Sequence, residues 1–93
     1  DVWVEDASIA TIILQLAAES LGLGSCWIQI RERAHSKERS AQHYVAELLQ
    51  LPAGVMVEAM LAVGYPAESK PPHPGEALHW RQVHREAFGR PYR

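Results

Sequence analysis

Apolar residues along this chain change their period several times, and each change marks an element. From Ser8 to Leu21 they run almost unbroken. Ile9, Ile12, Ile13, Leu16 and Ala17 fall at the spacing of one helical face, and Ala10, Leu14, Ala18 and Leu21 make a second. The pattern predicts a helix from about Ala7 to Leu21, buried on both sides. Asp6 is placed to cap it, Glu5 adds negative charge at its N-terminus, and Gly22 stands where a left-handed residue ends a helix. So short a chain has little to cover the second face, which implies a partner subunit or the other half of a domain. Cys26 to Ile30 has the β-branched and aromatic content of a short strand, and Arg31 to Arg39 reads as a polar connection.

The next run has one apolar face only. From Ser40 onward, Ala41, Tyr44, Val45, Leu48 and Leu49 recur at helical spacing, and Leu51-Pro52 stops them, which predicts a one-faced surface helix. Pro52-Ala53-Gly54 then turns the chain into Val55 to Tyr65. There Val57, Ala59, Leu61 and Val63 alternate with Met56, Glu58, Met60 and Ala62. Both sets are largely apolar, so the segment is expected to be a central strand covered on both faces. Pro66, Pro71, Pro72 and Pro74 keep the following stretch extended. Glu76 to Phe88 supports two readings: Ala77, Trp80, His84 and Ala87 fit a helix, while Arg81 to Arg85 fits an edge strand.

Composition narrows the class. At 93 residues, 47% hydrophobic and with a formal net charge of -2, the chain is one domain or part of one and carries no basic stripe for nucleic acid. The run from Ala7 to Ala18 is broken by Ser8, Thr11 and Gln15 and falls short of the roughly 20 residues that span a bilayer, so neither a membrane segment nor a signal peptide is expected. The single cysteine, Cys26, forms no intramolecular disulfide and suits a reducing cytoplasm.

Residue chemistry offers no catalyst. Gly22-Leu23-Gly24 follows a helix and precedes a strand, the reverse of a phosphate-cradling loop, and reads as a cap and turn. Cys26 between small and aromatic residues reads as a buried space-filler rather than a nucleophile. His35, His43, His73, His79 and His84 lack zinc-ligand spacing, so no metal is expected. Glu5, Asp6 and Glu58 form no recognisable acid/base pair, and no triad pattern occurs.

An ordered series of short landmarks nevertheless runs through the chain. It comprises Trp3, Glu5-Asp6-Ala7-Ser8-Ile9-Ala10, Leu14 to Ala18, and Leu21-Gly22-Leu23-Gly24-Ser25-Cys26-Trp27-Ile28. Leu51-Pro52, Ala62-Val63-Gly64-Tyr65-Pro66-Ala67-Glu68 and Lys70-Pro71-Pro72-His73 follow, then Leu78, Trp80, Val83-His84 and Phe88. In this order the residues resemble the C-terminal half of the nitroreductase family, the FMN-dependent NAD(P)H oxidoreductases. Full-length relatives open with an Arg-Ser-x-Arg type segment that grips the FMN phosphate and ribityl chain, and no counterpart is found here.

The resemblance implies an α+β, three-layer nitroreductase-like fold, with about two main helices on a short, mostly antiparallel sheet. Residues 1–93 would form one partial domain, and residues 67–93 a C-terminal arm that reaches a partner subunit's sheet. By the same resemblance Ser25, Cys26, Trp27, Ile28 and Gln29 lie along the isoalloxazine ring, and Lys70 pairs with the FMN phosphate as a point charge. His73 stands near where relatives carry arginine, and Ile30 where they place glycine. The implied reaction is ping-pong, hydride passing from NADH or NADPH to FMN and on to a nitroaromatic, quinone or similar small-molecule acceptor, with no protein group as catalyst. The implied partner is a second copy in a homodimer, or a complementing N-terminal half, and the doubly apolar helix and the edge-strand reading of Arg81 to Arg85 agree with that. A reading from another class is a truncated, non-catalytic dimerising scaffold that has lost flavin binding.

Overall fold

A computed structural model describes residues 1–93. The order is α1 (Trp3–Ser20), β1 (Gly24–Gln29), α2 (Ala41–Leu48) and β2 (Ala59–Gly64), followed by two single-turn 3-10 helices, Gly75–Ala77 and Trp80–Gln82. The expected α+β class, two helices on a short antiparallel sheet, is what the chain adopts.

Helix α1 starts four residues earlier than its apolar pattern. Asp6 lies inside the first turn beside Glu5 and is not the cap; Val2 holds that position without a side-chain bond, and the Trp3 amide donates to Asp1 Oδ1 at 3.1 Å. The other end follows expectation. Gly22 takes φ of 76°, and the Leu23 amide reaches back to the Ala18 carbonyl at 2.9 Å while that of Gly22 reaches Glu19 at 3.0 Å. This paired closure satisfies carbonyls that a helix end otherwise leaves bare.

Helix α2 opens on Ser40, whose hydroxyl accepts from the His43 amide at 3.0 Å. It closes as α1 does, Leu51 donating to Ala46 at 2.9 Å, but the left-handed residue is Gln50, with φ of 56°. A side chain in that region costs roughly 1–2 kcal/mol, partly offset in glycine by a more flexible unfolded chain. Gln50→Gly is therefore expected to stabilise the protein by about 0.5–1 kcal/mol, read as a rise in the urea midpoint at unchanged slope; a fall would show that the Gln50 side chain contributes packing.

The two strands form an antiparallel ribbon in which Gly24 faces Gly64, Cys26 faces Ala62 and Ile28 faces Met60. At its far end the amides of Ile30 and Arg31 both donate to the Glu58 carbonyl, at 3.0 and 2.8 Å, the two-against-one signature of a β-bulge. The bulge ends the ladder, so β2 is shorter than the expected Val55 to Tyr65.

Coverage departs most from the sequence expectation. The buried or half-buried residues of α1 are Trp3, Val4, Ala7, Ser8, Thr11, Gln15 and Ala18, and beyond its first two residues all are small or polar. Ile9, Ile12, Ile13, Leu14 and Leu16 all point away and are 50–64% exposed. The expected burial on both sides is thus absent within the chain, because two strands offer one narrow face. Strand β2 is likewise covered on one side only: Ala59 and Leu61 are half-buried, Met60 and Ala62 exposed. On α2 the inward face is Ala41, Gln42, Val45 and Ala46, whereas Tyr44, Leu48 and Leu49 are exposed.

The buried apolar residues are Ala18, Ile30 and Val45, none of them fully so, and the radius of gyration is 18.2 Å. A compact domain of this length has about 12 Å. The chain alone therefore lacks a closed core.

Beyond Pro66 neither the helix nor the edge strand expected around Arg81 to Arg85 forms. The segment turns through Trp80–Gln82 and makes a single bridge between His84 and Pro91. Local contacts organise it instead: Trp80 Nε1 donates to the Gly75 carbonyl at 2.7 Å, Tyr92 stacks on its ring at 5.8 Å, and the Arg93 guanidinium sits 3.8 Å from the ring centre. From Pro66 onward only Trp80 is even half-buried.

Candidate functional site

The alternation of β1 sorts the five strand residues singled out in the sequence. Ser25, Trp27 and Gln29 turn toward α1 and are half-buried; Cys26 and Ile28 turn to the open face, so Cys26 is exposed and not the buried space-filler expected. Their main chains sort the opposite way. Because Ile30 is hydrogen-bonded to its partner Glu58, the even-numbered residues of β1 form the hydrogen-bonded pairs of the ladder. The N–H and C=O groups of Ser25, Trp27 and Gln29 therefore point to the outer edge of β1, which no strand occupies. Cys26 and Ile28 spend their main-chain groups on β2.

Side-chain bonds hold the inner row in place. Trp27 Nε1 donates to Gln29 Oε1 at 3.0 Å, and Gln29 Nε2 donates to the Arg31 carbonyl at 2.8 Å. Gln15 Nε2 approaches Ser25 Oγ at 3.4 Å. The Gln29 amide is thus fixed at both ends, which stiffens the strand where it enters the bulge.

The outer face is flat at one end. Gly24, Cys26, Ala62 and Gly64 lie there as two cross-strand pairs, bordered by Tyr65, which is 91% exposed. Together with Ser25, Val63 and Pro66 they line an open groove of about 410 Å³. The contribution of Ala62, Gly64 and Tyr65 escapes a linear reading because strand pairing brings it to Cys26.

Lys70 and His73 are not in that groove. Pro66 packs beside Gly24, and Lys70 follows four residues later, so its backbone lies within about 14 Å of the ribbon end. Its ammonium pairs with Glu68 at 3.3 Å, both side chains exposed, and His73 is exposed too. No three His, Cys, Asp or Glu side chains converge as a metal site, and no helix is long and apolar enough to cross a membrane.

Glu58 is the residue the sequence reading undervalued. It is 8% exposed, Oε1 accepts from Ser8 Oγ at 2.6 Å, and Oε2 has no hydrogen-bond partner. Its signal was available: one carboxylate set among the apolar residues Val55 to Val63.

The fold that carries the ribbon and α1 is shared with known proteins. The profile of the Nitroreductase family matches residues 2–65. A protein of Archaeoglobus fulgidus assigned as an NADH dehydrogenase/NAD(P)H nitroreductase is 39% identical over 70 residues, 75% of this chain and 37% of that relative. One of the same assignment from Methanothermobacter thermautotrophicus is 36% identical over 67 residues, 72% of this chain and 32% of its own length. Among solved structures, an FMN-dependent nitroreductase from Clostridium difficile R20291 superposes with a TM-score of 0.89 at 43% identity, covering 95% of this chain and 51% of that one. An NADH dehydrogenase/NAD(P)H nitroreductase assigned in Parabacteroides distasonis ATCC 8503 superposes at 0.78 with 30% identity, covering 95% and 48%. The chain belongs to the nitroreductase family. It spans about half the length of these solved structures.

Proposed function

We propose that this chain supplies one side of an FMN site in a NAD(P)H-dependent oxidoreductase of nitroreductase type. The observation that carries the proposal is β1 itself, an edge strand whose main-chain groups at Ser25, Trp27 and Gln29 pair with no strand, beside a patch without bulky side chains. That arrangement fits a planar heteroaromatic cofactor. Edge amides can bond its polar rim, and the absence of large side chains at Gly24, Cys26, Ala62 and Gly64 lets a ring approach closely. When bound, FMN supplies hydride transfer between NADH or NADPH and an acceptor such as a nitroaromatic or quinone. The chain's own residues would orient and tune: Cys26 and Ile28 from the open face, Ser25, Trp27 and Gln29 from the edge.

Lys70 and His73 would meet the cofactor's phosphate, Lys70 by exchanging Glu68 for it. His73 would add one hydrogen bond where an arginine would add a fork. The remaining contacts would come from a second copy of the chain or from a complementing N-terminal half, seated on the exposed face of α1 and on the arm of residues 67–93.

Purified protein is expected to take up FMN and show the flavin absorption band. Lys70→Ala should weaken uptake by about tenfold, and Glu68→Gln, which frees the ammonium, should strengthen it. A colourless protein that takes up no added FMN would overturn the reading in favour of a dimerising scaffold.

A further inference from the structure

The polar connection after β1 is an ordered hairpin with its own chemistry. Residues 1–30 hold no lysine or arginine, yet Arg31, Arg33, Lys37 and Arg39 follow within nine positions. Ala34 and Ser40 bridge across the base, and the amides of His35 and Ser36 both donate to the Arg39 carbonyl, at 3.0 and 3.1 Å. The His35 imidazole stacks on Tyr44 of α2, ring centres 3.9 Å apart and nearly parallel at 8°. His35 remains exposed. Arg39 is tied to Glu47, and Arg31 pairs with Glu32, but Arg33 and Lys37 have no acidic partner. Arg33, Lys37, Arg39, Ser36 and Ser40 line a concavity of about 390 Å³, with Glu38 as its one acidic wall.

We propose that this hairpin binds a 2′-phosphorylated adenosine, the group that separates NADPH from NADH. Two unpaired cations suit the double charge of a phosphate monoester, Arg33 with a fork and Lys37 as a point charge. The outward face of His35, backed by Tyr44, gives the adenine a surface to stack on. The hairpin leaves β1 at the end opposite the Gly22–Gly24 turn, and an extended dinucleotide with its nicotinamide on the ribbon carries its adenosine away from the ring. The proposal rests on the NAD(P)H reading above and names which of the two donors is used.

Binding of adenosine 2′,5′-bisphosphate, adenosine 5′-monophosphate and inorganic phosphate tests it by calorimetry on the purified protein. The bisphosphate is expected to bind most tightly. Arg33→Ala with Lys37→Ala should weaken it by about tenfold and leave the monophosphate within about twofold, whereas His35→Ala should weaken both nucleotides. Glu38→Gln should tighten the bisphosphate. FMN uptake, measured separately by absorbance, should be unchanged in all of these variants, so failure of the flavin reading is seen independently. Equal affinity for the two nucleotides, inorganic phosphate binding as tightly as either, or a bisphosphate affinity indifferent to Arg33 and Lys37 would overturn the proposal.

Discussion

Ile12→Glu combined with Leu16→Glu on α1 is expected to convert the assembled protein into a monomer that unfolds readily. Both side chains are at least half exposed in the single chain, 50% and 64%, so within it they cost little to replace. Their neighbours Ile9, Ile13 and Leu14 are exposed as well, an apolar surface that a soluble chain does not leave in water. Each large aliphatic side chain gains about 1.5–3 kcal/mol when fully buried, so two lost at an interface amount to roughly 3–6 kcal/mol before the penalty for burying two carboxylates. That exceeds a large share of the stability of an ordinary domain. Sedimentation of the purified protein checks it: the parent should run as a dimer and the variant as a monomer with a lowered melting temperature. An unmodified chain that runs as a compact monomer would sink the assembly proposal. Ala7→Glu, on the face packed against the ribbon, should instead destabilise the chain whatever its oligomeric state.

Why some of this was legible in the sequence and some was not follows from where each signal resides. Local rules held at two caps and failed at a third: Gly22 closes α1 as expected and Ser40 opens α2, but Asp6 lies inside the first turn of α1 rather than capping it. The apolar period located both helices and both strands because it records which faces are apolar, whatever comes to cover them. For the same reason it misdescribed the single chain. Ile12 and Leu16 announced a covered face, but the cover is not supplied by residues 1–93, and α1 turns its small and polar side chains to the ribbon instead. Strand length failed for a different cause. The bulge at Ile30 and Arg31 depends on a pairing with Glu58, and no linear pattern announces that register. The flat patch likewise required Cys26 to be set against Ala62 and Gly24 against Gly64.

The Glu58–Ser8 contact is expected to be the most sensitive point inside the chain. Ser8 has one hydroxyl proton and two acceptors within reach, the Val4 carbonyl at 2.7 Å and Glu58 Oε1 at 2.6 Å. The carboxylate is buried with its second oxygen unpartnered, so the Ser8 hydroxyl is the only donor it has. Removing one partner of a buried charge costs far more than the contact itself contributes, because the other is left desolvated and alone. Ser8→Ala should therefore lower stability by about 1–3 kcal/mol, above the value for a half-exposed serine. Ser8→Ala combined with Glu58→Met should recover most of that loss, since an apolar side chain of similar length needs no donor. Urea unfolding of the four proteins in the cycle decides the matter: a Ser8→Ala cost below about 1 kcal/mol, or a double variant no more stable than the single, would show that Glu58 is not the liability its burial implies. The same residue sits opposite the bulge that launches the basic hairpin, and its main-chain carbonyl accepts from the amides of both Ile30 and Arg31. Substitution at Glu58 changes only its side chain, so hairpin geometry and nucleotide binding should survive in any variant that remains folded.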